Sequence, residues 1–179
     1  MAIVLASQSP RRQELLARIG VENFKTLSLD IDESYPASLS PEDTVRFIAG
    51  KKSEAAAALC APDDLIITAD TMVFLGNDHL GKPQDVEDAF RMLRALSGER
   101  HTVCTGVSLR QGARCESFAV STAVYFRPMT DEEIRSYIKT GEPMDKAGAY
   151  GVQSRGALFV ERIDGDFFNV MGLPVEQLG

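Results

Sequence analysis

The sequence predicts an α/β fold with mixed strand pairing, and three observations carry that prediction. Strand-like apolar runs alternate with helical periodicities along the chain, an order that builds a layered sheet rather than a bundle or an all-β sandwich. A length of 179 residues suffices for one well-packed core and is short for two independent ones, so residues 1–179 read as a single domain. Apolar residues at 44% and charged residues at 25% are the proportions of an ordinary globular chain, without any run near the roughly 20 apolar residues of a membrane span.

Ile3, Val4 and Leu5 open the chain as a short strand. Ser9 suits a helix N-cap and Pro10 the first helical position, so a helix continues from there through Leu15, Leu16 and Ile19 to a stop at Gly20. Arg11 and Arg12 then lie at its amino end, which already bears about half a positive charge, and each cation there costs roughly 0.3–1 kcal/mol unless an anion offsets it. Free backbone N–H groups beside two guanidiniums make a site for phosphate oxygens. The alternative is that both side chains fan into water or pair with local carboxylates.

A strand over 24–29 ends in the acids Asp30, Asp32 and Glu33, and Ser40-Pro41-Glu42-Asp43 opens a second helix that runs to about Leu59. Residues 65–69 read as a buried strand with Asp70 at its carboxyl end, where ligand sites of open α/β sheets collect. Residues 71–75 continue extended to a Gly76-Asn77-Asp78 turn, and Gly81-Lys82-Pro83 is a second break. Helical spacing returns over 86–96, with Ala89, Met92, Leu93 and Leu96 on one face and Gly98 as the stop. Strands follow over 102–110, 115–126 and 158–163. A helix capped by Thr130-Asp131-Glu132-Glu133 lies between the last two and ends before Gly141. In the turn-rich segment 165–174, Phe167, Phe168 and Met171 are expected to fill the core. Asn169 facing a ligand, and Tyr150 stacking on a base, stay open beside plain packing.

A net charge of −7, from 26 acidic and 19 basic residues, repels a nucleic acid backbone and argues against nucleic acid as a partner. Cys60, Cys104 and Cys115 are odd in number and lack CxxC spacing, which suits reduced thiols. With no basic segment leading into a long apolar core at the start, the expected location is cytoplasmic, with no membrane partner. His79 and His101 are far apart and no HExxH or cysteine cluster occurs, so any catalytic metal should be a hard ion held by oxygens.

Arg11, Arg12, Glu33, Lys52, Asp70, Lys82 and Lys146 fall at element ends and in loops rather than along solvent-facing helix sides. Several cations converging with two carboxylates would be the inventory that holds a divalent metal together with a triphosphate, although charges at loop ends are common in any soluble protein.

The segments Ser7-Gln8-Ser9-Pro10-Arg11-Arg12, Ala69-Asp70-Thr71, Gly81-Lys82-Pro83, Leu96-Ser97-Gly98, His101 to Gly106, Asp145-Lys146-Ala147-Gly148-Ala149-Tyr150-Gly151-Val152-Gln153 and Gly165 through Pro174 resemble, in this order, the motifs of the Maf nucleotide pyrophosphatases. The resemblance covers nearly the whole chain. It implies a Maf/Ham1-like mixed sheet flanked by helices, two lobes around a central cleft, and hydrolysis of a nucleoside triphosphate to the monophosphate and pyrophosphate. It also implies a divalent cation, Mg²⁺ or Mn²⁺, and leaves a homodimer open. Arg11, Thr71 and Gln153 resemble the dTTP/UTP branch, where the 7-methyl-GTP branch typically has Trp, Gln and Glu. Gln153 can present a donor and an acceptor to a pyrimidine edge, which rejects bases that leave those groups unpaired.

By the same resemblance Asp70 is the general base, Glu33 and Asp70 bind the metal, and Ser7, Arg12, Lys52 and Lys82 hold phosphates, with Lys52 and Lys82 counted among the catalytic groups. Lys146 joins the substrate contacts. The chain departs from the family pattern at Phe47, Lys51 and Ser154-Arg155. A reading from another class, a nucleotide-binding regulator of cell division or septum formation, has no need of a base at the attacking water. Purine-directed hydrolysis like that of the Ham1 relatives is disfavoured by Arg11, Thr71 and Gln153.

Overall fold

In the computed structural model, which describes residues 1–152 and 155–174, seven strands join in one mixed sheet. The strands are β1 (Ile3–Leu5), β2 (Phe24–Thr26), β3 (Leu65–Leu75), β4 (Asp78–Leu80), β5 (Arg100–Gln111), β6 (Arg114–Phe126) and β7 (Val160–Asp164). Between them lie the helices α1 (Pro10–Arg18), α2 (Pro41–Ala57), α3 (Val86–Leu96), α4 (Asp131–Lys139) and α5 (Phe167–Met171), with short 3₁₀ turns around residues 142–159. The strand order is β2-β1-β3-β5-β6-β7, with β4 pairing on β3. Two compact units share the chain: Met1–Thr71, Thr105–Val120 and the chain from Gly172 form the first, Met72–Cys104 and Ser121–Met171 the second.

In the first unit β1 pairs in parallel with both β2 and β3. Parallel strands are covered on both faces, which is why Val4 and Leu5 are consecutive buried residues and why residues 66–70 of β3 are buried without alternation. Ser9 caps α1 by accepting from the Arg12 amide, Pro10 opens it, and Leu15 and Leu16 anchor it. Ser40 caps α2, which buries Val45, Ile48, Ala49, Ser53 and Ala56, a stripe at helical spacing. Gly106 of β5 lets α2 approach closely, since a Cβ there would strike the Val45 carbonyl.

In the second unit Asp85 caps α3 and a Thr130–Glu133 capping box starts α4. The two helices pack on each other through faces that carry Met92, Leu93 and Leu96 on one and Ile134, Tyr137 and Ile138 on the other. β7 runs antiparallel to β6, and the carboxamide of buried Asn169 donates to the Val103 carbonyl at 3.1 Å and to Thr122 Oγ1 at 2.9 Å, fastening α5.

Four expectations need correction. The strand expected over 24–29 ends at Thr26, because β1 is only three residues long and the Leu27 amide, bonded to the Leu5 carbonyl, finds the last rung. The turn at 76–78 is tighter than expected: Gly76, at φ +60°, turns the chain so that β4 folds back antiparallel on Val73–Leu75. The last strand starts at Val160 rather than 158, since Arg155–Phe159 coils as a 3₁₀ turn. Phe167 is 41% exposed and does not fill the core, whereas Met171 does. Among the described residues no helix is long and apolar enough to cross a membrane, and all three cysteines are free.

Candidate functional site

Asp70 was expected at the end of a strand and instead sits inside one. Thr71–Leu75 is as β-prone as the residues before it and gains β4 as a partner, so β3 runs on through the aspartate. Alternation along β3 then sorts its polar side chains onto two faces. Thr68 and Asp70 turn toward α2, where Thr68 Oγ1 donates to the Ala49 carbonyl at 2.8 Å and Asp70 Oδ1 meets Lys52 Nζ at 3.2 Å. Thr71 meets Arg12 of α1.

The Lys52 ammonium has three protons and three acceptors around it: the Ala69 carbonyl at 3.1 Å, Asp70 Oδ1 at 3.2 Å and Glu33 Oε1 at 3.2 Å. One cation thus gathers the two carboxylates that the sequence singled out. Asp70 is 8% exposed, and its second oxygen, Oδ2, is buried with no hydrogen-bond partner among the described residues. Burial raises the Asp70 pKa above the usual carboxylate value, and the nearby positive charges of Lys52 and Arg12 oppose the rise.

Arg12 does not fan into water. Its Nε–H donates to the Gly172 carbonyl at 2.8 Å, Nη1 to Ser7 Oγ at 3.3 Å and Nη2 to Thr71 Oγ1 at 3.0 Å. Burial lowers its pKa, an effect that Asp70 and Glu33 counter and Arg11 reinforces. Arg11, half-buried one residue earlier, makes no hydrogen bond or ion pair with the described residues. The first unit therefore brings together Ser7, Arg12, Glu33, Lys52, Asp70 and Thr71.

Lys82 and Lys146 belong to the second unit, where the Gly148 amide bonds the Gly81 carbonyl at 3.1 Å and so ties their two loops. Lys146 Nζ donates to the Glu142 carbonyl at 2.9 Å and to Asp145 Oδ1 at 3.0 Å. Tyr137 braces the same segment, its hydroxyl donating to Glu142 Oε1 and accepting from the Gly151 amide, each at 2.9 Å. Gln153 lies outside the described residues. Tyr150, left open between stacking on a base and packing, packs: it is buried edge-on against Phe126 and His101, with its hydroxyl 2.7 Å from His101 Nε2. Asn169 likewise fastens α5 rather than facing a ligand.

Sequence reasoning missed two participants in the Arg12 arrangement, the Gly172 carbonyl and Thr105, whose Oγ1 lies 2.9 Å from Thr71 Oγ1. A backbone carbonyl leaves no trace in side-chain chemistry, and Thr105 is one β-branched residue among many in a buried strand.

The mixed sheet is shared with a solved structure of a HAM1 protein from Coxiella burnetii, which superposes with a TM-score of 0.52 over 99% of this chain and 96% of that one, at 14% identity. The chain belongs to the Maf family: the Maf-like protein family matches residues 2–179. Similar relatives include dTTP/UTP pyrophosphatases of Bacillus velezensis, 48% identical over 97% of this chain and 90% of the relative. Others are those of Carboxydothermus hydrogenoformans, 48% identical over 99% and 95%, and of Bacteroides thetaiotaomicron, 46% identical over 98% and 92%.

Proposed function

We propose that this chain, acting as one domain of residues 1–179, is a nucleoside triphosphate pyrophosphatase that hydrolyses dTTP and UTP to the monophosphate and pyrophosphate. The observation that carries the reading is the buried Asp70, with one oxygen held by Lys52 and the other left without a partner, beside the fixed guanidinium of Arg12. The names of the relatives support the pyrimidine substrates.

In this reading a water attacks the α-phosphorus and Asp70 accepts its proton. The bond to the bridging oxygen breaks and pyrophosphate leaves. Arg11, Arg12, Lys82 and Lys146 offset the phosphate charge, Ser7 offers a hydroxyl to it, and Lys52 keeps Asp70 turned and opposes its protonation. Most of the acceleration comes from positioning and electrostatics. Gln153 bears on the choice of pyrimidine.

The donor set suits a hard divalent cation. Glu33 and Asp70 are oxygen donors gathered around one Lys52 ammonium, and Asp70 Oδ2 is an orphaned buried acceptor. Two carboxylates could hold Mg²⁺ or Mn²⁺ together with the substrate phosphates. When bound, the ion would neutralise charge on the leaving pyrophosphate.

The test is a panel of the common nucleoside triphosphates with Mg²⁺ or Mn²⁺ and identification of the products. Pyrophosphate with TMP or UMP is the expected outcome. Orthophosphate release would overturn the reading, and binding of dTTP and UTP without turnover would overturn it and leave the regulator class standing.

A further inference from the structure

The hydrogen bond from Arg12 Nη2 to Thr71 Oγ1 has a second hydroxyl behind it. Thr105 Oγ1, on the neighbouring strand β5, lies 2.9 Å from Thr71 Oγ1, and Thr105 is fully buried. A threonine hydroxyl offers one proton and two acceptor positions. Thr71 Oγ1 uses one acceptor position on Arg12 and either its proton or its other acceptor position on Thr105, so most of its hydrogen-bonding capacity is committed within the protein.

Arg12 is the other half of the arrangement. Of its five N–H groups, three are directed to Gly172, Ser7 and Thr71, which leaves two without a partner among the described residues and open to an anion. The Gly172 carbonyl is delivered by a residue at φ +120°, a backbone state that side chains rarely adopt, and an added Cβ would lie 3.5 Å from Arg12 Nε. The guanidinium plane is therefore set by a backbone carbonyl and by a pair of hydroxyls rooted in two adjacent strands.

We propose that Thr105 is a positioning residue that acts through Thr71 to aim the two uncommitted N–H groups of Arg12 at the polyphosphate, and that the Thr71–Thr105 pair serves the phosphate end of the nucleotide rather than its base. The proposal rests on the pyrophosphatase reading and deepens it. Thr71 then acts on the phosphates through the guanidinium it holds, and the reading of the base falls to other residues. Hydrogen bonds that share a polar network reinforce one another, so loss of the rear hydroxyl loosens the front one.

The experiment uses the full chain with the substitutions T105V, T105S and T71V. It measures KM and kcat for dTTP, UTP and CTP, and the inhibition constant of inorganic pyrophosphate. T105V should raise KM for each nucleotide by the same factor, about threefold to tenfold, and raise the pyrophosphate inhibition constant in parallel. T105S, which keeps the hydroxyl, should recover most of that loss. T71V breaks the pair from its other end and should give a loss equally independent of the base, so the test stands even where T105V fails to fold. The proposal is overturned if T105S is as impaired as T105V, or if either valine variant changes the preference among bases while leaving pyrophosphate inhibition unmoved. It is equally overturned if T105V matches the wild type. A wild type that turns over no nucleotide would instead overturn the pyrophosphatase reading itself.

Discussion

Each unit of the molecule buries a polar cluster, and the two differ in the partners that compensate the burial. In the first unit the burial of Arg12, Lys52 and Asp70 is compensated by partners within hydrogen-bond reach, Lys52 pairing with Asp70 and the Ala69 carbonyl and Arg12 donating to the Gly172 carbonyl. In the second, His101 and Tyr150 are buried against Phe126 and stay neutral. Burial drives the histidine pKa down to about 4 and pushes the tyrosine pKa up, and one 2.7 Å hydrogen bond joins the two rings. Each cluster leaves one buried atom without a partner among the described residues, a carboxylate oxygen of Asp70 in the first and Nδ1 of His101 in the second. A cluster in which opposite charges pair beside a bare carboxylate oxygen is suited to chemistry on a charged substrate, and a neutral pair packed among aromatic rings is suited to holding the fold.

The largest expected effect separates these two roles directly. D70N keeps the shape of the side chain and removes the base, so turnover of dTTP should fall by roughly 10³-fold, within the range assigned to a positioned proton acceptor. Its circular dichroism spectrum should match that of the wild type. Y150F, the parallel change in the neutral cluster, deprives His101 Nε2 of its partner and should lower stability by about 1–3 kcal/mol with kcat preserved. A D70N enzyme that retains most of its turnover would erase the functional half of the contrast.

The neutral cluster also predicts an acid sensitivity of its own. The folded pKa of His101, about 4, lies below the ordinary value of 6.5, so the unfolded chain takes up the proton first. The contribution of this group is complete above pH 6.5 and is lost progressively as the pH falls toward 4, to a maximum of roughly 3 kcal/mol. Replacing both partners, H101F with Y150F, removes the titrating group without leaving a bare polar atom. Melting temperatures between pH 7 and 4.5 should therefore fall less steeply for the double variant than for the wild type. Parallel curves would mean that His101 takes up its proton in the folded state as readily as in the unfolded one.

Much of this arrangement is legible in the sequence, for identifiable reasons. The caps Ser9, Ser40, Asp85 and Thr130 act over one helical turn, so helix starts can be read from local chemistry. The buried run of β3 shows as consecutive apolar residues, but its length does not, because continuation past Asp70 depends on pairing with β4. Glu33, Lys52 and Asp70 stand out as charged residues in suggestive places. Their gathering on one ammonium is a tertiary fact that spacing in the chain does not encode. Thr105 and the Gly172 carbonyl are more hidden still, since what matters in each is a direction rather than a residue type. The Phe167 expectation failed for a related reason. Hydrophobicity marks a residue as able to be buried, and in this five-residue helix the buried residues are Asn169 and Met171.

The smallest expected effect tests whether the second unit has any share in the chemistry at all. Gly151 has no left-handed backbone to protect, yet a Cβ there would come within 2.8 Å of both Glu142 Oε1 and Lys146 Cε. Both are parts of flexible side chains that can shift, so G151A should change stability by about 1 kcal/mol or less. The shift must nevertheless move the Lys146 ammonium away from the Glu142 carbonyl and Asp145 that now hold it. If Lys146 contributes to holding the polyphosphate, KM for dTTP should rise about twofold to fivefold while kcat stays close to that of the wild type, the pattern of a lost ground-state contact. An unchanged KM would remove Lys146 from the groups that hold the polyphosphate. The three-way brace of Tyr137, Glu142 and Lys146 would then be, like His101 and Tyr150, part of the scaffold.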